Sequence, residues 1–240
     1  MSLGRHWLLY GVQRLVPVAL VLAMGAPVQA VEPPPSYGVW TQVATENSGS
    51  WTGYSARLQV RYGASGVAFW PGGLLTDGTF VQSGLIQPGP LNDCTYVFAW
   101  AAPAGSAHPH EEAKMPVVQT CVHNARVGSW YTFQLFRSGA TWTFRYQDPA
   151  GAWHTQGRFT DKASLYTVNV TVERWTAIAS SFYTQVATNF MVRRGTTWAY
   201  VPTAYGSGAG CDMEKVTSPR AGSVTFVYGP AACRLYRRLW

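Results

Sequence analysis

Charged residues are scarce in this chain, and helical patterning is absent. Only 12% of the 240 residues are Asp, Glu, Lys or Arg, whereas Tyr, Trp, Phe, Thr, Val and Gly are abundant. No long stretch repeats apolar residues at the helical period, and many short alternating runs are separated by Gly, Pro and Asp turn signals. This composition is typical of an all-β protein. The spacing of the runs predicts two packed sheets, as in a jelly-roll sandwich.

Several familiar catalytic motifs are missing as well. The sequence has no Gly-x-Ser-x-Gly nucleophile elbow and no His-Glu-x-x-His zinc motif. Because it lacks Cys-x-x-Cys and its histidines do not stand at ligand spacing around the cysteines, a zinc site is not expected, and we predict no metal. The sequence implies no cofactor. Glu173 has Thr171 and Trp175 as same-face neighbours, so the paired carboxylates of a jelly-roll glycoside hydrolase are not evident on this strand.

The first 30 residues have the pattern of a secretory signal peptide. Arg5 and Arg14 precede a short apolar run at 15–26, and a small-x-Ala cleavage site follows at 28–30. An uncleaved anchor is the alternative, but the run is shorter than the ~20 residues that a membrane span needs. We therefore expect secretion without stable membrane insertion. Beyond residue 30 we expect a proline-rich leader at 31–38 and one β-sandwich domain at 39–240.

Four cysteines in a secreted chain predict two disulfides, for which three connectivities exist. We favour Cys94–Cys121 and Cys211–Cys233, because each pair closes a modest loop between neighbouring predicted strands. The formal net charge is +7, but the basic residues are dispersed. The one local cluster, at 234–238, is too small to predict nucleic-acid binding. We expect a monomer.

Three stretches are predicted to be irregular. Residues 103–116 and 205–220 are long candidate loops, and long loops in compact domains are often functional. The first loop holds His108 and His110, which could bind a metal, although a solvated polar loop is the favoured interpretation. Pro71-Gly72-Gly73 predicts a turn.

Two predicted strands carry the polar groups of greatest interest. Residues 167–175 alternate strictly, so three valines lie on one face and Glu173 lies on the other. Residues 80–85 form a second strand with a single amide, Gln82. A carboxylate and an amide on neighbouring strands of one sandwich can act on a peptide bond.

Short motifs around these strands occur in a fixed order. They are Ser-Trp-Thr-Gly at 50–53, Phe-Trp at 69–70, Val-Gln-Ser-Gly at 81–84, Tyr96, Trp100 and Pro103, and Val-Glu at 172–173. This order resembles the glutamic peptidases (eqolisins), acid peptidases built on a concanavalin A-like jelly roll. Their chains run Asn-Trp-x-Gly, Trp-Val-Gly-Ile, Leu-Gln-x-Gly and Tyr-Glu-Trp-Tyr-Pro, followed by a strand that ends in a catalytic Glu.

The resemblance implies a concanavalin A-like sandwich with Gln82 and Glu173 as a catalytic dyad. It implies a substrate cleft lined by Trp70, Trp100 and Trp175, and a polypeptide substrate cleaved at acidic pH. Glu173 would take a proton from a water held between it and Gln82, whose amide would donate to the developing oxyanion. Glu173 would then return the proton to the leaving amine.

The chain departs from this family at its most specific motif. Tyr-Glu-Trp-Tyr-Pro is replaced by Phe-Ala-Trp-Ala-Ala-Pro at 98–103, so Ala99 stands where the family has a second carboxylate. Loss of that like charge should lower the pKa of Glu173 relative to the family. The departure implies weak activity, or a family scaffold that has lost its chemistry.

The alternative is a non-catalytic module that binds carbohydrate or a cell surface. Aromatic rings stack on sugar faces, and the chain has 11 Trp and 13 Tyr. Trp142, Trp153, Trp175 and Trp198 lie on or near predicted strands. We assign most of them to the core and Trp153, which follows a predicted turn, to the surface.

Geometry separates the two hypotheses. A peptidase requires Gln82 and Glu173 to converge on one sheet, close enough to share a water. A binding module requires an exposed aromatic row and has no need of the dyad.

Overall fold

The computed structural model describes most of the chain beyond residue 38. The described residues are 39–45, 50–59, 67–87, 94–104, 112–123, 128–174, 183–201, 203–208, 211–217, 224–229 and 232–237. The predicted signal peptide and leader lie outside them. Within this described part, no helix has the length and the hydropathy of a membrane span.

The described residues form sixteen β-strands. In chain order they are β1 Val39–Thr45, β2 Gly53–Gln59, β3 Val67–Leu75, β4 Thr79–Gln87, β5 Cys94–Pro103, β6 Met115–His123, β7 Trp130–Ser138, β8 Thr141–Gln147, β9 Trp153–Thr160, β10 Leu165–Arg174, β11 Tyr183–Arg194, β12 Thr197–Tyr200, β13 Thr203–Gly208, β14 Cys211–Thr217, β15 Val224–Gly229 and β16 Ala232–Arg237. Strand runs of four to twelve residues fit the alternating sequence patterns.

The strands form two antiparallel sheets that pack face to face. Sheet A has the order β14-β13-β1-β10-β3-β4-β5-β6, and sheet B has the order β16-β15-β11-β2-β7-β8-β9, with β12 paired to β11. Strand β6 approaches β9 at one edge, and β14 approaches β16 at the other. The predicted fold, an all-β, two-sheet, concanavalin A-like jelly-roll sandwich, is confirmed.

One face of each sheet supplies the core between them. Val168 and Val170 of β10 lie fully buried in it, together with Phe133 and Leu135 of β7. Burial of each such side chain contributes roughly 1.5–3 kcal/mol of transfer free energy. The register of alternate residues therefore fixes which face of each strand is turned away from the core.

The core also contains one polar contact between the sheets. The hydroxyls of Tyr54 in β2 and Ser83 in β4 are hydrogen-bonded at 3.1 Å. Burial raises the pKa of Tyr54, and the hydrogen bond from Ser83 only partly opposes the rise. The pair is satisfied internally, so it costs little to bury.

The structure confirms the Cys94–Cys121 disulfide, which joins β5 to β6 with a Cα–Cα distance of 5.4 Å. The side chains of Cys211 and Cys233 lie outside the described residues, so their pairing stays a prediction. The strands that carry them, β14 and β16, are the edge strands that approach each other across the sandwich.

Two expectations about irregular segments are wrong. Residues 203–208 and 211–217 form the antiparallel strands β13 and β14, within the stretch that the sequence predicts to be a long loop. The small and polar residues of these two strands are typical of loops, so the sequence pattern did not predict strands. Such residues are tolerated at a sheet edge. Pro71 and the two glycines after it continue β3 instead of turning, because β10 and β4 hold this strand on both sides.

Lys114, just before β6, links the two sheets at one end of the sandwich through two ion pairs. Its ammonium group bridges Asp77, in the turn between β3 and β4, and Asp161, which follows β9 of the other sheet. Partial burial alone would raise the pKa of Asp77. Hydrogen bonds from Lys114 and from the backbone N–H of Thr79 outweigh burial and lower the pKa to about 2.

Because the pKa of Asp77 is about 2 in the fold and ~3.9 in an unfolded chain, the ionised carboxylate stabilises the fold above about pH 4. This contribution is lost as the pH falls from ~4 towards ~2. We expect the melting temperature of Asp77→Asn to fall less steeply over that interval than that of the parent, as measured by circular dichroism. Lys114→Met should flatten the dependence in the same way. Parallel curves for all three proteins would contradict the assignment.

Candidate functional site

Gln82 lies on the face of sheet A that is turned away from the core. The core face of β4 carries Val81, Ser83 and Leu85, so the intervening residues lie on the outer face. The Gln82 side chain is 7% exposed, and the indole N–H of Trp100 donates to its Oε1 at 2.6 Å. This bond orients the amide and leaves Nε2 as a donor that no described residue engages.

Aromatic rings surround this amide. The ring of Phe80 stands edge-on between Trp70 and Trp100, with centroid distances of 5.8 and 5.9 Å. All three rings are buried in a second apolar cluster on the outer face of sheet A. The indole N–H of Trp70 has no hydrogen-bond partner within the described part of the chain. The structure therefore brings Trp70 and Trp100 together with Gln82 in one buried cluster.

Two glycines make room for the Trp70 indole. A Cβ at Gly84 would lie 2.5 Å from the Cβ of Trp70, and one at Gly72 would lie 2.8 Å from its ring. Real Cβ atoms do not approach so closely, so these positions admit only glycine while Trp70 keeps its place.

The strand register does not bring Glu173 to Gln82. In sheet A, β3 lies between β4 and β10, and Gln82 shares its row with Gly72 and Asn169. Glu173 pairs with Ala68, four residues further along β10 than Asn169. Two strand spacings and four residue rises separate the Gln82 and Glu173 Cα atoms by about 16 Å. A shared water needs a far shorter separation, and the Glu173 side chain itself lies outside the described residues.

The polar residue of β10 in the Gln82 row is Asn169, which is buried and donates to Thr171 Oγ1 at 2.6 Å. Ala99 is fully buried in the core between the sheets, on the opposite face of sheet A from Gln82. A carboxylate at that position would lie in the apolar core rather than beside the amide. Trp175, the third predicted cleft residue, lies outside the described residues.

Sheet B carries a second constellation on its outer face, which we call the aromatic–arginine ladder. Its members alternate in the order Trp198, Arg193, Phe136, Arg145 and Trp153. Successive distances from guanidinium carbon to ring centroid are 5.9, 5.3, 4.8 and 4.2 Å. All four lie within the range of cation–π attraction, worth about 0.5–1 kcal/mol each at an exposed site. The ladder crosses the sheet from β12 to β9.

The ladder follows from strand alternation and from one glycine. Arg193 pairs with Gly53, which in turn pairs with Phe136, so Arg193 reaches Phe136 across a residue without a side chain. On the other side, Nε and Nη2 of Arg145 donate to Gln134 Oε1 at 2.9 and 2.8 Å. Arg193 Nη1 donates to the Arg137 carbonyl at 2.8 Å. Neutral acceptors thus hold both guanidinium groups in place.

The ladder is accessible at its β9 end. Trp153 is 41% exposed although Arg145 covers part of its ring, and Tyr200 of β12 is 40% exposed. Trp153 was the tryptophan predicted to lie at the surface. By contrast, Trp142 is fully buried and stacks on Phe159 in the core, and Trp198 is half-buried in the ladder.

Sheet B is also uniformly basic. None of its eight described strands contains Asp, Glu or Lys, whereas sheet A has both signs of charge. The arginines of the sheet B strands are Arg57, Arg137, Arg145, Arg158, Arg193, Arg194, Arg234 and Arg237. The net charge of the chain does not reveal that the acidic residues are absent from the strands of one sheet.

Sequence reasoning missed Phe136, Arg145 and Arg193. Each lies at a polar-face position of a correctly predicted strand, which was the available signal. Their meeting depends on the strand order β12-β11-β2-β7-β8-β9, which the sequence pattern does not give. Among the described residues, no group of three or more His, Cys, Asp or Glu could hold a metal ion. His108 and His110 lie outside them.

No family model and no curated protein sequence matches the chain. Among solved structures it is similar to a functionally unknown protein from Saccharomyces cerevisiae, with 11% identity over 58% of this chain and 63% of that one and a TM-score of 0.36. It is also similar to SCLam, a non-specific endo-beta-1,3(4)-glucanase, with 11% identity over 58% of this chain and 48% of that one and a TM-score of 0.29. A third similar structure is the kappa-carrageenase of Pseudoalteromonas carrageenovora, with 10% identity over 73% of this chain and 80% of that one and a TM-score of 0.33. The chain spans less than two thirds of the first two proteins.

Gly53 offers a test of how the ladder is built. A Cβ there would lie 2.5 Å from the Leu135 carbonyl oxygen and 3.1 Å from the Phe136 Cα, so β2 and β7 would have to separate. We expect Gly53→Ala to lower the free energy of unfolding by about 1–3 kcal/mol, measured in urea. Ser55→Ala on the same strand, which loses one 3.3 Å hydrogen bond, is the control and should cost less. Equal stability of the two variants would contradict the packing argument.

Proposed function

We propose that this protein is a non-catalytic carbohydrate-binding sandwich whose ligand lies on the outer face of sheet B. The observation that supports the proposal is the aromatic–arginine ladder, a row of rings and guanidinium groups that crosses the sheet and ends in the exposed ring of Trp153. An extended row of this kind suits an extended, repeating ligand better than a compact one.

The chemistry of the row complements that of a sugar. A pyranose has an apolar C–H face and a rim of hydroxyl groups. Aromatic rings cover such a face, and fixed N–H donors bind the hydroxyl oxygens. Trp153 supplies the exposed ring, and Arg145, fixed by Gln134, supplies the neighbouring donors. Because the donors are held before a ligand arrives, little conformational entropy is lost on binding.

Secretion belongs to the same proposal. The predicted signal peptide would deliver the protein to the compartment where polysaccharides are found. The Cys94–Cys121 disulfide is consistent with an oxidising compartment.

Glutamic-peptidase activity stays a prediction. The orientation of the Gln82 amide by Trp100 favours it, since Nε2 keeps its capacity to donate to an oxyanion. The register disfavours it, because Glu173 lies two strands away and four residues along from the Gln82 row, and Ala99 lies on the core side. The geometry of the described residues therefore supports the binding module better.

The binding proposal depends on Trp153. We expect Trp153→Ala to weaken binding to a polysaccharide ligand, found by affinity electrophoresis against a polysaccharide panel, by about tenfold. Tyr200→Ala is the matched control, because Tyr200 is exposed to the same extent, 40% against 41%, but is not part of the ladder. Equal losses in the two variants, or no binding to any polysaccharide by a folded parent protein, would contradict the proposal.

Catalysis is tested separately. We expect the purified protein to leave unfolded casein intact from acidic to neutral pH, because the backbone register separates the Cα atoms of Gln82 and Glu173 by about 16 Å. Released peptides would be measured by mass spectrometry. Cleavage that Glu173→Gln abolishes and Glu112→Gln leaves unchanged would establish the peptidase instead.

A further inference from the structure

Two cations of the ladder have no anionic partner in the described structure. Arg145 donates to the amide oxygen of Gln134, and Arg193 donates to a backbone carbonyl. The ion pairs of the described residues involve Lys114 and His154 instead. No described carboxylate therefore pairs with either guanidinium group, and the strands of this sheet contain none.

The two charges are also close together. Arg145 and Arg193 approach the ring of Phe136 from strands on either side of β7, at 4.8 and 5.3 Å. Burial, and secondly the charge of Arg193, lower the pKa of Arg145. The fold therefore holds two like charges against each other, and an anion placed between or above them relieves the repulsion.

The type of cation indicates the type of anion. The strands of sheet B use arginine and no lysine. The planar guanidinium fork matches the two oxygens of a carboxylate or sulfate, which a lysine ammonium does not.

We propose that the ladder binds an anionic polysaccharide, with sulfate or carboxylate groups of the sugar chain held by Arg145 and Arg193. This inference rests on the proposed function and names its ligand class. The sugar chain crosses the strands of sheet B, its rings contact Trp153, and its charged groups meet the guanidinium edges. A single-stranded nucleic acid is a poorer occupant, because it needs free ring faces for base stacking and two guanidinium groups already cover Phe136.

The test compares polysaccharides that differ only in charge. Dextran sulfate is matched with dextran, and polygalacturonate is matched with its methyl ester. We expect the protein to bind at least one anionic member at least ten times more tightly than its neutral partner, by isothermal titration calorimetry. The affinity should fall as salt is added. The two pairs distinguish a sulfate from a carboxylate ligand.

Arginine variants assign the binding to the ladder. Arg145→Gln and Arg193→Gln should each weaken binding to the anionic polymer about tenfold, since each loses a charge-assisted contact. Arg158→Gln removes the same charge from an exposed position of β9 outside the ladder and should change affinity far less. Arg145→Lys keeps the charge without the fork and should fall between. Thermal unfolding confirms that each variant is folded.

Each result decides between the inference and the proposed function. Equal binding of charged and neutral partners, lost in Trp153→Ala, overturns the inference and leaves the proposed function standing. Equal effects of Arg158→Gln and Arg145→Gln, or duplex DNA binding as tight as polysaccharide binding, also overturn the inference. Absence of binding to every polysaccharide overturns both.

Discussion

The packing of two sheets through one shared core determines what every strand can display. Because side chains alternate, each residue committed to the core assigns its neighbours to the outer face. Val168 and Val170 on one side, and Phe133 and Leu135 on the other, fix that assignment for the central strands. The core thus determines which residues lie on the outer faces, and only residues on those faces are available to contact a ligand. In this molecule the two outer faces differ sharply.

The outer face of sheet A is apolar and covered, whereas that of sheet B is basic and partly open. Trp70 is only 2% exposed and Gln82 only 7%, so the polar atoms of these two side chains are withdrawn from solvent. On sheet B, Trp153 at the end of the ladder remains 41% exposed. Recognition of a polymer requires an accessible row, which favours sheet B as the binding surface. A buried amide that no carboxylate of the described residues engages has structural uses, such as anchoring the Trp100 indole.

The sequence was sufficient for properties that depend on local alternation and failed for those that depend on strand order. The two-sheet fold and the Cys94–Cys121 pair follow from period-two runs and from proximity along the chain. The backbone separation of Gln82 and Glu173 could not be predicted, because it depends on β3 lying between their strands and on a register that offsets them by four residues. The β13–β14 hairpin was missed because edge strands tolerate residues that are typical of loops.

A ladder of rings and arginines can stabilise a sheet without binding anything, but the energetics of this one support the proposal that it binds an anion. Each cation–π contact contributes about 0.5–1 kcal/mol, but the repulsion between Arg145 and Arg193 opposes part of that gain. A purely structural ladder would be improved by a carboxylate near the two arginines, and the strands of sheet B contain none. Gln134 provides a neutral acceptor where Glu would neutralise Arg145. The arrangement leaves unneutralised charge at a fixed position, which an anionic ligand can satisfy.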